Sequence, residues 1–375
     1  MLIVADQHIP FISDIFSGLG ELRLIPGQEI DAESIAKADA LVVRSITRID
    51  EDLLKDSHVS FVGSATAGVD HVDFNFLGRR GIGFGNAPGA NAESVVEYVL
   101  ACLAELSRRE DTPFEKRSIG IIGAGNVGGL LATRCKMLGM KVLVNDPPLE
   151  QRDPGSAGFV ELKTLLRNSD IVSVHTPLTR SAPFPTHGLL GEDELRSLKK
   201  GTWLIHSARG GVCDESALIR ARQDGQLGGL ALDVWENEPL PSEDHIQLAD
   251  IATGHIAGYS VDAKVRGVQM IREQIARHFN VEESASPSTN NLFNERLSTC
   301  QANTLAGRIL EMYPINEDDA RFRFSVMESQ NKAEAFHLYR AQYPTRRAFS
   351  AFPAVSDTPT SWIKGLNLSF KPEGT

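Results

Sequence analysis

At 375 residues, 42% hydrophobic and 23% charged, the chain is long enough for two or three domains with cores of their own. A formal charge of −11 argues against nucleic acid or an anionic membrane surface as a partner, and no apolar run reaches membrane-spanning length. The four cysteines (Cys102, Cys135, Cys213, Cys300) stand at neither metal-ligand nor redox spacing, so no metal and a reducing, cytoplasmic location are expected.

Met1-Leu-Ile-Val-Ala-Asp6 lacks a basic leader and reads as a first strand, not a signal peptide. Strands follow at Leu22–Ile25, Ala40–Arg44, Val59–Gly63 and Ile82–Gly85, with helices between them, the first over Phe11–Leu19. Such alternation predicts a parallel sheet wrapped by helices. The first strand runs into Asp6-Gln-His-Ile-Pro10 and not into a glycine loop, so residues 1–90 read as a substrate-binding lid domain. Asn91–Arg109 is a long amphipathic helix with Val95, Val96, Val99, Cys102, Leu103 and Leu106 on one face, expected to bridge to the next domain.

Ser118–Ile122 is a short apolar run ending in glycine, which predicts a buried parallel strand. Gly123, Gly125 and Gly128 then fall in the G-x-G-x-x-G spacing. The first permits a tight turn, the second lets a pyrophosphate approach the backbone, and the third lets the next helix pack on the strand. That helix shows in Val127, Leu130, Leu131, Cys135 and Leu138, stopped by Gly139, and Lys141–Val144 is the next strand. Asp146, at its end, is placed to bind a ribose diol and to repel a 2′-phosphate, and Pro147, Pro148 and Leu149 bring no arginine. Residues 91–259 are therefore expected to bind NAD, with Gly123, Gly125, Asn126 and Val127 in its turn. Strands at Ile171–His175, Trp203–Ser207, Leu230–Val234 and Ile251–Thr253 end in His175-Thr-Pro, Ser207-Ala-Arg-Gly, Asp233 and Gly254-His-Ile-Ala-Gly-Tyr259. Carboxyl ends of an open α/β sheet border its ligand crevice, so these stretches converge.

Ser260–Phe279 is a second long helix, with Ala263, Val268, Ile271, Ile275 and Phe279 along one side, expected to return to the first domain. That joins residues 260–282 to 1–90. Val281–Asn291 reads as a linker. Residues 290–375 then form a small α+β domain whose Leu305, Ile309, Leu310, Met312, Phe336, Leu338 and Tyr339 would be best buried against a twin. A homodimer is expected.

Oxidising an alcohol beside a carboxylate needs a fixed cation, a base for the hydroxyl proton and a group that tunes the base. Arg209 suits the first role through a bidentate guanidinium. Histidine exchanges protons near neutrality, which suits His255 to the second, and Glu238 is the acid that would orient it. All three lie at strand ends of one nucleotide-binding sheet.

Ser207-Ala-Arg-Gly-Gly, Asp233-Val-Trp-Glu-Asn-Glu-Pro239 and Gly254-His-Ile-Ala-Gly258 resemble the signatures of the D-isomer-specific 2-hydroxyacid dehydrogenases. Further likeness lies in Val43-Arg-Ser45, Ser64-Ala-Thr-Ala-Gly-Val-Asp-His-Val-Asp73, Ala87-Pro-Gly-Ala-Asn-Ala, Val96-Glu-Tyr-Val, Asn145-Asp-Pro-Pro, His175-Thr-Pro-Leu and His255-Ile-Ala-Gly-Tyr259. The resemblance implies two Rossmann-like doubly wound domains and NAD-dependent oxidation of a phosphorylated 2-hydroxy acid, 4-phospho-D-erythronate, on the route to vitamin B6. It makes Arg209, Glu238 and His255 catalytic, with His255 the proton acceptor in oxidation. It sets Asp146, Thr176, Ser207, Ala208, Arg209, Asp233 and Gly258 around NAD, and Ser45, Thr66, Arg209 and Tyr259 against substrate. Many relatives read Asn-Ala/Cys-Arg where this chain has Ser207-Ala-Arg, which leaves the backbone role intact. For Arg346 and Arg347 the plainer reading is a solvated basic turn; a phosphorylated substrate raises beside it the idea that a dimer partner lends both as cations. Two rivals stand beside this reading: a phosphoglycerate dehydrogenase, and an NAD-sensing binding protein on the same fold. Turnover separates the sensor from either enzyme.

Overall fold

Two parallel sheets organise the chain. The computed structural model describes residues 1–369 except 67, 70, 156–157, 182 and 282–296, so the expected linker, beyond Val281, lies outside the described residues. The chain divides into two compact units, residues 1–91 with 260–281, and residues 92–259 with 297–369.

In the first unit, β1 (Leu2–Asp6), β2 (Glu21–Ile25), β3 (Ala40–Val43), β4 (Phe61–Ser64) and β5 (Gly83–Asn86) form a sheet of order β2-β1-β3-β4-β5. Every pairing is parallel, and β3 and β4 are buried along their whole length, as continuous apolar runs require. The order reverses between β1 and β3, where such sheets usually take a ligand. Here an ion pair occupies that place: Arg44 Nε lies 2.6 Å from Asp6 Oδ2. Gly27 packs so closely that a Cβ would stand 2.3 Å from the same oxygen. No phosphate loop is built at this position. The helix Val261–His278, capped by the Ser260 hydroxyl, lays Val265, Val268, Ile271 and Ile275 against the sheet and belongs wholly to this unit. The helix expected over Phe11–Leu19 shrinks to Ile12–Ile15, because left-handed residues at Phe11 (φ 59) and Gly18 (φ 78) bend the chain on both sides.

The second sheet contains β6 (Ser118–Ile122), β7 (Lys141–Asn145), β8 (Ile171–Val174), β9 (Thr202–His206), β10 (Leu227–Leu232) and β11 (Ile251–Ala252), in the order β11-β10-β9-β8-β6-β7. Beyond β7 the backbone N–H of Val160 donates to Val144 O at 2.9 Å. The order reverses at β6, so the crevice lies over its carboxyl end.

The helix Ala92–Glu110 differs from the sequence expectation. It lies entirely within this unit and is buried from Ser94 to Ser107, on all sides. Its far face is covered by the helical tail, and the buried acids are satisfied: Glu105 pairs with Arg108 and Arg109, and Glu97 with Arg346.

The tail also departs from expectation. Its described part is helical (Leu305–Met312, Ile315–Met327, Lys332–Ala341, Thr360–Leu366), with one isolated bridge between Pro353 and Ser369. It shares one core with the nucleotide-binding sheet, where Leu305, Ile309, Met312, Phe336 and Tyr339 are buried. Those side chains need no twin. Leu310 is partly buried, and Leu338 alone of the seven stays exposed.

Candidate active site

At the end of β6, Gly123 adopts a left-handed φ of 88°, and a Cβ there would stand 2.8 Å from His175 O. Gly128 lies still closer to its neighbours, for a Cβ would fall 1.8 Å from Gly123 O. The helix Asn126–Met137 can therefore start hard against the strand. Gly125 caps it without a side-chain acceptor, and a Cβ there would meet nothing within 4 Å. That leaves an open flank at a helix N-terminus, with N–H groups of the first turn available to an anion.

Asp146 joins the end of β7 to this turn: Oδ2 accepts from Ala124 N at 2.7 Å and Oδ1 from Leu149 N at 2.9 Å. The hydroxyls of Thr176 and Ser207, just beyond β8 and β9, are buried and have no hydrogen-bond partner. Buried hydroxyls ordinarily have one, so this pair fits a polar ligand lying across the strand ends. Ala208 is buried beside them.

The catalytic candidates sit on the adjoining loops. Glu238 Oε1 accepts from Trp235 N at 3.0 Å, and Oε2 lies 2.8 Å from His255 Nδ1. Both side chains are partly open, at 24% and 31% exposure, so a ligand can reach them. His255 is a left-handed non-glycine residue, φ 59, a conformation costing about 1–3 kcal/mol. Asp233 holds it there. Its carbonyl accepts from His255 N at 2.7 Å, and its buried carboxylate accepts from Ile256 N, Ala257 N and the Thr253 hydroxyl at 2.8, 2.9 and 2.7 Å. The carboxylate thus orders the loop and, with it, the position of His255. Tyr98 extends the chain, its hydroxyl 2.8 Å from Thr253 Oγ1.

Burial pushes the Asp233 carboxyl upward, against the His255 charge and the donors around it. Burial would also raise Glu238, but the hydrogen bond and charge of His255, the Trp235 N–H and the charge of Arg340 outweigh it and hold this carboxyl low. Glu238 is therefore an ionised partner for the imidazole.

Arg209 follows β9, is exposed, and donates to Ala208 O at 2.8 Å. Its neighbour Gly210 brings the two loops backbone to backbone, since a Cβ there would stand 1.9 Å from Trp235 O. The structure thus places Glu238 and His255 in contact and Arg209 on the adjacent turn. Gly258 and Tyr259 are half-buried on the His255 loop. Ser45 and Thr66 lie in the first unit, after β3 and β4; Ser45 is exposed, and Thr66 bonds Ser64 Oγ at 2.8 Å and Gly68 O at 3.0 Å.

Arg346 is not offered to a partner. It is 7% exposed, pairs with Glu97 Oε2 at 2.8 Å, and donates to Tyr259 O at 2.9 Å and Ala257 O at 3.3 Å. The tail therefore clamps the loop that carries His255. No motif in the sequence signals this, because Glu97 and Arg346 are 249 positions apart.

Residues 103–257 match the family described as D-isomer specific 2-hydroxyacid dehydrogenase, NAD binding domain. The chain is 38% identical to the erythronate-4-phosphate dehydrogenase of Shewanella sp. (strain W3-18-1), over 98% of this chain and 99% of that one. It is 43% identical to the enzyme of the same name from Azotobacter vinelandii, over 92% and 93%. Among solved structures it resembles the TT0316 protein from Thermus thermophilus (TM-score 0.64, 26% identity, 76% of this chain and 99% of that one). It also resembles a D-lactate dehydrogenase from Aquifex aeolicus complexed with NAD and lactic acid (TM-score 0.56, 26% identity, 75% and 94%). With NAD as its cofactor, the chain belongs to the D-isomer-specific 2-hydroxyacid dehydrogenases and, within them, to the erythronate-4-phosphate dehydrogenases.

Proposed function

We propose that the chain oxidises 4-phospho-D-erythronate at C2 to 2-oxo-3-hydroxy-4-phosphobutanoate, in the cytoplasm, as a step towards vitamin B6. The observation that carries the reading is the 2.8 Å contact of His255 with an ionised Glu238, on loops at the carboxyl ends of a nucleotide-binding sheet.

Bound NAD supplies the acceptor for the hydride leaving C2. Its pyrophosphate fits the Gly123, Gly125, Asn126 and Val127 turn, its ribose fits Asp146, and the unpartnered hydroxyls of Thr176 and Ser207 fit its polar edge. Ala208 and Gly258 provide close walls. His255 has Nδ1 engaged by Glu238, so Nε2 takes the C2 hydroxyl proton and returns it in the reverse direction. Glu238 fixes the ring and stabilises the imidazolium formed. Arg209, released from Ala208 O, receives the substrate carboxylate as a fork. Ser45, Thr66 and Tyr259 offer hydroxyls to an oxygen-rich acid.

A homodimer is part of the same proposal. Its support is the exposure of Phe324 (75%) and Leu338 (46%) on the tail helices, apolar area that a second copy would cover. Incubating the purified protein with NAD and 4-phospho-D-erythronate is expected to yield NADH and a 2-oxo acid in equal amounts. No NADH from this acid, with ready turnover of 3-phosphoglycerate, would replace the proposed substrate.

A further inference from the structure

An acidic chain that takes a phosphorylated acid must gather cations locally. Several arginines of the tail are committed to internal acids: Arg308 to Asp357, Arg321 to Asp318, Arg323 to Asp319 and Arg346 to Glu97. Arg340, near the end of the helix Lys332–Ala341, is different. Its Nε is buried without a hydrogen-bond partner, and among the described residues no carboxylate pairs with it. Its guanidinium lies 5.6 Å from the centroid of the Tyr259 ring, on the loop that carries His255, and its charge is felt at Glu238. A desolvated donor with no acceptor is costly in a folded protein, and a ligand acceptor removes that cost.

Position narrows the ligand. In a four-carbon acid that reacts at C2, the C4 phosphate lies only two carbons from the reacting atom. Its cation must therefore stand within a side chain's reach of His255, and Arg209 is already given to the carboxylate.

We infer that Arg340 receives the substrate's phosphate and makes the tail a determinant of specificity for a phosphorylated acid. This rests on the proposed function. A guanidinium suits the task because its planar fork meets phosphate oxygens through paired hydrogen bonds.

The test compares kcat/KM for 4-phospho-D-erythronate with that for D-erythronate, in the wild type and in Arg340→Gln and Arg340→Lys. Thermal melting and NADH titration check that each variant is folded. In Arg340→Gln the preference for the phosphorylated acid is expected to fall about 10- to 100-fold, chiefly through KM, the range of a lost charge-assisted contact. Arg340→Lys keeps the charge and loses the fork, so its preference lies between. A preference that survives in a folded variant, with both efficiencies lowered together, would show a structural role and overturn the inference while the proposed function stands. A wild type inactive on the phosphorylated acid would overturn the proposed function and this inference with it. Should Arg340→Gln not fold, Arg340→Lys decides by the same ratio, and an unchanged preference there overturns the inference.

Discussion

His255 stands in a left-handed turn, and the strain is tolerated because Asp233 takes the N–H groups of residues 255, 256 and 257. Replacing His255 by Gln is expected to lower kcat about 10²–10⁴-fold and to leave the dissociation constant of NADH nearly unchanged, as fluorescence titration would show. Glu238 gives a pH signature. Its carboxyl is held low in the folded protein, so it stabilises the fold above the unfolded value of about 4.3, and this is lost as pH falls through the lower folded value. The stability gap between wild type and Glu238→Gln should therefore be widest above about pH 5 and close in acid; a gap that widens in acid would contradict the pairing. The glycines give a matched pair. Gly128→Ala forces backbone apart and is expected to cost about 1–3 kcal/mol, whereas Gly125→Ala leaves the melting temperature alone and raises KM for NAD. The type and spacing of these residues were readable in the chain. Less readable was the part Asp233 plays in its own loop, since nothing in a sequence shows that a carboxylate gathers the donors of residues 253, 256 and 257.

Most of the strands were legible because they are short apolar runs bounded by polar or turn-forming residues, and observed ends differ from expected ones by only a few residues. The helix Ala92–Glu110 was misread for a definite reason. Glu97 and Glu105 look like a solvated face until Arg346, Arg108 and Arg109 are seen to neutralise them. Burial pushes the Glu97 carboxyl up to about 7 against the opposing Arg346 charge and Phe349 N–H, while Tyr313 and Glu97 keep Arg346 charged in spite of its own burial. Arg346→Met alone leaves a buried carboxylate without its counter-ion and is expected to cost about 3–5 kcal/mol in denaturant unfolding. Glu97→Leu with Arg346→Met removes both charges and should recover a large part of that loss. A double variant no more stable than the single one would show that the clamp on Ala257 O and Tyr259 O, and not the charge, is what stabilises the fold.

At the scale of the molecule, the same α/β pattern appears twice with different outcomes. In the first unit the reversal of strand order is closed by Asp6 and Arg44; in the second it opens onto a glycine turn and a helix N-terminus. The tail, whose apolar residues suggested a dimer interface, uses most of them to complete the core of the second unit and braces the loop that carries His255. Long-range pairs of this kind carry no local pattern, which is why they could not be read from the chain. The central claim is that His255 and Glu238 serve NAD-dependent oxidation of a phosphorylated four-carbon acid. The most direct test is kcat/KM with NAD across 4-phospho-D-erythronate, 3-phosphoglycerate and D-lactate. The account predicts that the first exceeds the others by at least about 100-fold and that Glu238→Gln lowers it; a higher efficiency with 3-phosphoglycerate or D-lactate, or one indifferent to Glu238, would contradict it.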